Sequence, residues 1–345
     1  MSMSPALEGQ SASPCSQSGQ GEVARGYEAR GAEASACAVS SKSPPPQPSP
    51  LPLAKGREQA AQIWFDGRFI DASDDGAPLT THAMHYGSGV FEGIRAYATT
   101  DGGSAVFRLP EHLERMRKGC ELLGIPFDVV EATEATLQVL RRNGHRDAYV
   151  RPLAWCGTGS IGLDVAPLSK HLMVATFPTN VHLAGAHVRL GTSSWRRNPA
   201  TSLPPLKLCG AYVNSILAKH EARQRGFNEA LFVDDQGYVV ECTGANVFMV
   251  RGGQVTAVEH RDALAGITRD TVIALTGAQS RPVRYAELAD ADAVFVCGTA
   301  AEITPVAELD ARRFDDHCVA TDLAQHYQRV VRGEDARHAR WLTKV

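Results

Sequence analysis

Residues 149–177 read YVRPLAWCGTGSIGLDVAPLSKHLMVATF, two apolar runs on either side of a literal Gly-x-Gly-x-x-Gly at 157–162. Three glycines after a strand invite a dinucleotide-binding reading, in which they open a helix onto a pyrophosphate. The residues beyond them decide against it. Only LDVAPLSKH separates Gly162 from the next apolar run, with Pro167 in its middle, and a parallel crossover needs a helix within a dozen or more residues. The two runs are successive strands of one domain, which they close near residue 180.

Outward from this stretch, hairpins and helices alternate without a repeat. Upstream, QIWFDGRFI (62–70) sets two short runs around Asp66-Gly67, a preferred tight-hairpin dipeptide. In PEHLERMRKGCELLG (110–124), Leu113, Met116, Cys120 and Leu123 share one face and Gly124 ends the pattern, predicting a helix; a second covers roughly 131–142. Downstream, PTNVHLAGAH (178–187) is the expected connection, leading to the strand VRLGTSSW and a helix in YVNSILAKHEARQRG that stops at Gly226. Two hairpins (EALFVDDQGYVVE and NVFMVRGGQVTAV), a helix in GITRDTVIALTG, the strand and turn of DAVFVCGTAAEI and a helix in the 320s complete the chain. This mixture predicts an α+β fold rather than a doubly wound parallel sheet. The expected parts are a disordered 1–60 rich in Ser, Pro, Gly and Ala, a small domain over 61–180 and a larger one over 181–345.

With 345 residues, 43% hydrophobic and 21% charged, the chain has a globular composition, and its net charge of -3 leaves no electrostatic footprint for nucleic acid. No apolar run approaches a membrane span. The eight cysteines form no CxxC pair, which argues against a zinc site. They read as reduced thiols of a cytoplasmic protein, and the first sixty residues contain neither the apolar region of a signal peptide nor the acid-poor composition of a transit peptide.

Within LPPLKLCGAY (203–212) one charge, Lys207, stands among leucines and a proline pair. Taken alone it is a solvated charge on an apolar loop. Yet the chain has 28 arginines and only 7 lysines. Lysine does what arginine cannot, because its amine can lose a proton in a desolvated pocket and attack a carbonyl. Glu241 ends the strand YVVE, Thr268 stands where GIT opens a helix, and Gly298-Thr299 form a turn after the strand AVFVC. The helix start and the turn suit anionic groups. A lysine, a carboxylate and an anion cradle suit pyridoxal phosphate (PLP).

The chain resembles the branched-chain-amino-acid aminotransferases of the class IV PLP enzymes over roughly 61–345. The resemblance rests on IWFDG, HYGSGVFEGIRAY, HLERM, YVRPL, SSWRRN, LKLCGAYVNS, ECTGANVF, GITRD and GTAAEITPV, in that order. It implies a two-domain fold with the cofactor between the domains, and PLP-dependent transamination of branched-chain L-amino acids with 2-oxoglutarate. By the same resemblance Lys207 carries the cofactor and Glu241 meets its ring nitrogen. Arg115, Thr268 with the Ile267 amide, and Thr299 hold its phosphate, and Tyr212 flanks it. Tyr149, Arg151 and the Thr299-Ala300 backbone face substrate carboxylates, while Phe91, Gly93 and, from a partner subunit, Tyr86 and Leu163 shape an apolar cavity. The protein is then at least a homodimer.

Read without the resemblance, Arg115 lies off the apolar face of its helix and is solvated, and Phe91 and Tyr86 are core aromatics. Tyr149 and Arg151 share one strand face by the period of two. Three positions depart from the family pattern: Ala245 stands where a second glutamate is usual, Leu206 where an alanine precedes the lysine, and Thr179 where an aromatic often lines the specificity pocket. D-amino-acid aminotransferases, aminodeoxychorismate lyases and (R)-amine transaminases share the fold and stand as alternatives, as does a non-catalytic binding protein.

Overall fold

Asp66 and Gly67 both adopt left-handed φ, 44° and 84°, as a two-residue hairpin turn requires, and they join β1 (Gln62–Phe65) to β2 (Arg68–Asp71). The computed structural model describes residues 61–74, 76–179 and 187–345, which lie in one compact unit. The expected disorder of 1–60 and most of the expected connection at 178–187 fall outside the described residues.

Short helix α1 (His82–Tyr86) leads into β3 (Gly89–Phe91), β4 (Ile94–Ala98) and β5 (Ser104–Phe107). Helix α2 (Leu109–Leu122) has Pro110 in its first turn, where a missing N–H costs nothing. In α3 (Val129–Asn143) the Asp128 carboxylate caps the Val130 and Glu131 amides, and Gly144 closes the other end. The stretch at 149–177 then forms β6 (Ala148–Cys156) and β7 (Lys170–Pro178), antiparallel in unbroken register from Ala148↔Pro178 to Cys156↔Lys170. The three glycines sit in the connecting loop, so the dinucleotide motif is a coincidence of spelling. These strands belong to an eight-stranded sheet, antiparallel throughout, with α2 and α3 packed on it.

The second sheet has nine strands. After β8 (Val188–Thr192) the chain crosses through α4 (Tyr212–Gln224) to β9 (Glu229–Val233), parallel to β8. Next are the hairpins β9/β10 (Val239–Cys242) and β11 (Asn246–Arg251)/β12 (Gln254–Val258). Then come α5 (Ile267–Thr276), β13 (Gln279–Arg281), α6 (Tyr285–Ala289), β14 (Ala293–Gly298), β15 (Glu302–Leu309), β16 (Arg312–Arg313) and α7 (Cys318–Val331). Two antiparallel-rich sheets with helices packed against them are an α+β architecture. The helix in the 320s is not the last element. Beyond it β17 (Leu342–Lys344) joins the first sheet beside β5, and Trp341 enters an aromatic core with Phe107 and Tyr327.

Helix α4 reverses the expected amphipathic logic. It buries its small residues Ser215, Ala218 and Ala222, while Val213 and Ile216 are exposed. No helix among the described residues is long and apolar enough to cross a membrane.

Candidate active site

Lys207 lies in an extended segment tied to the first sheet: the Phe91 amide donates to the Lys207 carbonyl (3.1 Å), and Leu208 bridges to Val90. Its ammonium donates to the Tyr212 hydroxyl at 3.0 Å. It stands 5.3 and 5.4 Å from the ring centres of Phe91 and Tyr212, which themselves meet edge to face. The charge thus sits beside two aromatics on the lining of an open cavity.

On the same cavity, Glu241 of β10 is buried. Burial pushes its carboxyl above the usual range, against the pull of Arg197, the Leu264 amide and the Lys207 charge. Arg197 Nε donates to Glu241 Oε1 at 2.8 Å, and the Leu264 amide donates to Oε2 at 3.1 Å. Arg197 is a site residue that residue-level reading missed. It lies in the quoted SSWRRN, but no local period marks which of two adjacent arginines turns inward.

Arg115 is largely shielded, its side chain 11% exposed, contrary to what its place off the apolar face of α2 suggests. Its Nε and Nη2 donate to the two oxygens of Glu92 at 2.6 and 2.9 Å, and Nη1 donates to the Ala265 carbonyl at 2.8 Å. Ala265 lies just before the start of α5, where Gly266 supplies no side-chain cap to the first amides, so an arginine and a helix N-terminus converge on one end of the cavity. Glu92 is completely buried. Desolvation acts to raise its carboxyl, but Arg115 and His112 outweigh it and bring the pKa down to about 2. Burial lowers His112, against the attraction of Glu92, and its Nδ1 lies 2.8 Å from a carboxylate oxygen of Glu92, which can only accept. Glu92 and His112 went unread as site residues, although both sit inside quoted motifs.

Ile267, Thr268, Thr299 and Ala300 line the cavity together with Lys207, Tyr212, Glu241, Arg115, Gly93 and Tyr149. Arg151 Nη2 donates to the Tyr149 hydroxyl at 3.1 Å, and its guanidinium lies 4.9 Å from the Phe91 ring. The two residues thus meet on one strand face, where Tyr149 lines the cavity while Arg151 and Phe91 lie beside it. Tyr86 and Leu163 are not brought to this chain's cavity. Both are exposed, and the Tyr86 hydroxyl donates to the Ile161 carbonyl at 2.9 Å. Of the three departures, Leu206 packs on the first core and Ala245 on a core of the second sheet, while Thr179 accepts from Arg95 at 3.3 Å.

The cavity fits PLP on its own chemistry. Its lining gathers a primary amine, a buried carboxylate, and cationic, hydroxyl and helix-amide groups. Space is kept where it is needed: a Cβ on Gly93 would fall 1.9 Å from the Tyr149 hydroxyl. The Arg151 Nε, beside this lining, is buried without a protein partner among the described residues.

The class IV amino-transferase family model matches residues 89–309. The branched-chain-amino-acid aminotransferase of Pseudomonas aeruginosa is 35% identical over 298 residues, 82% of this chain and 97% of that protein. The branched-chain aminotransferase of the thermophilic archaeon Thermoproteus uzoniensis, in a crystal structure with norvaline, superposes with a TM-score of 0.78 at 36% identity, over 82% of this chain and 98% of that one. The Thermobaculum terrenum enzyme in its PLP form gives 0.77 at 34% identity, over 84% and 99%. With the Lys207–Glu241 cavity framed by the matched segments, the chain belongs to the class IV aminotransferases, in their branched-chain-amino-acid group.

Proposed function

We propose that the protein transfers the amino group of leucine, isoleucine or valine, as L-amino acids, to 2-oxoglutarate with PLP as cofactor. The observation that carries this is that Lys207, Glu241, Arg115, the start of α5 and Thr299 line one cavity. When bound, PLP supplies an electrophilic carbon and a ring that withdraws electrons from the substrate Cα. In this reading Lys207 holds the cofactor covalently, and its freed amine takes the Cα proton and returns it. Glu241, braced by Arg197, presents negative charge to the ring nitrogen. Arg115, the Ile267 amide, Thr268 and Thr299 hold the phosphate, and Tyr212 flanks the cofactor. Tyr149, Arg151 and the Thr299-Ala300 backbone meet carboxylates, and Phe91 and Gly93 bound the side-chain space. The 61–180 segment, joined by the C-terminal strand β17, and the rest of 181–345 act as the two domains around the site.

A homodimer completes this reading. Met84, Tyr86, Ile161 and Leu163 expose apolar surface at one edge, the kind of patch that marks association, and Tyr86 and Leu163 would enter the partner's cavity. A cytoplasmic location suits six described cysteines that form no disulfide.

The test is a panel. The protein incubated with L-leucine, D-alanine or (R)-1-phenylethylamine, each with 2-oxoglutarate, should form glutamate with L-leucine and change its visible absorbance on adding that amino acid alone. Turnover with D-alanine or the amine but not L-leucine would overturn the substrate assignment. No absorbance change with any donor would overturn the enzyme.

A further inference from the structure

Glu302 closes the turn Thr299–Ala301 between β14 and β15, and its φ is +50°. That left-handed region is where glycine is the default and a glutamate is strained. Its side chain is buried, and three donors from outside the hairpin converge on it. Oε1 accepts from the Tyr97 hydroxyl at 2.8 Å and lies 3.2 Å from Arg95 Nη1, both on β4 of the first sheet. Oε2 accepts from Gln328 Nε2 on α7 at 2.7 Å. The charge is thus satisfied by hydrogen bonds and an ion pair, as a buried carboxylate must be. Strain of this kind persists only where surrounding contacts over-determine it.

We propose that Glu302 is a positioning residue, whose carboxylate clamps the Thr299–Ala301 turn to the first sheet and α7 so that Thr299 and the Thr299-Ala300 backbone face the anion end of the cavity. The proposal rests on the reading that this turn holds the phosphate and a substrate carboxylate. A glycine would satisfy the backbone at this position. The clamp explains why a charged residue occupies it instead, and it gives the buried Arg95 a task away from the reacting atoms. Because the clamp spans both sheets, it also couples the turn to the strand that carries Arg95 and Tyr97. Arg95 in turn pairs in register with Tyr149.

Three variants test it: Glu302→Gly removes clamp and strain together, Glu302→Gln keeps shape without charge, and Tyr97→Phe removes one donor. The measurements are the affinity of apoenzyme for PLP, KM and kcat for L-leucine, and melting temperature. Both Glu302 variants should weaken PLP by about tenfold or more and raise KM for L-leucine, with kcat at saturation within about threefold. Affinity losses that track melting temperature, or unchanged PLP affinity and KM, would overturn the clamp. Should neither variant fold, Tyr97→Phe decides, with about threefold weaker PLP expected and wild-type affinity overturning it. A Thr299→Ala variant separates the two readings. Wild-type affinity there refutes the role given to the turn, whereas weakened Thr299→Ala beside unaffected Glu302 variants refutes the clamp alone.

Discussion

At the scale of single residues, Lys207 and Glu241 divide the chemistry between an amine and a charge. Among the described lysines only Lys207 lines the cavity; Lys170 donates to backbone carbonyls near its own strand, Lys219 pairs with Glu229 at 2.7 Å, Lys344 pairs with Asp101 at 3.1 Å and Lys118 is exposed. Lys207→Ala should therefore abolish turnover, and borohydride reduction with subsequent peptide mapping should place the label on Lys207; label on Lys170 or Lys219 would contradict this. Glu241→Gln preserves shape and a possible hydrogen bond while removing the charge. If that charge is worth about 3 kcal/mol in the transition state, single-turnover Cα deprotonation of L-leucine should slow roughly a hundredfold. The variant should stay loaded with PLP, since the phosphate residues are untouched. A rate within about threefold of wild type would mean that Glu241 is not the ring partner.

At the scale of elements, the junction of β3, β4 and α2 is held by a buried carboxylate. Glu92 receives Arg115 and His112 from successive turns of α2, so the helix is keyed to the strands at the point where its arginine enters the site. The folded pKa of Glu92, about 2, lies below the ordinary 4.5. Its stabilisation is therefore fully present above the ordinary value and is lost as pH falls toward the folded one. His112, held neutral by burial, adds a loss on the acid side as it charges. In apoenzyme, the melting-temperature gap between wild type and Glu92→Gln should narrow from about pH 6 to about pH 3. A gap that stays constant over that range would show that the carboxylate carries no charge-dependent stability.

Across the whole molecule, the last strand returns to the first sheet. With Trp341 packed against Phe107 and under the Arg108 guanidinium, Trp341→Ala should cost about 3–5 kcal/mol in denaturant unfolding; less than about 1 kcal/mol would mean that the C-terminal segment only lies on the surface. The exposed Met84, Tyr86, Ile161 and Leu163 predict that sedimentation finds at least a dimer, and that Tyr86→Glu with Leu163→Glu shifts it toward an inactive monomer. An active wild-type monomer would contradict the shared site. Local sequence by itself determined the hairpin at Asp66-Gly67, helices α2 and α5, and the loop character of the glycines at 157–162, because turn chemistry, apolar period and crossover length act over a few residues. The motif order determined the family and most of the cavity's lining. Only the tertiary structure decided that Arg115 and Arg197 turn inward, that Glu92 and Glu302 are buried anchors, that α4 shows its larger apolar side chains to solvent, and that β17 completes the first sheet. The reason is physical: a charge is stabilised inside only by partners distant in sequence, Glu302 meeting Tyr97 from 205 positions away, and no local pattern records which remote partner desolvates it.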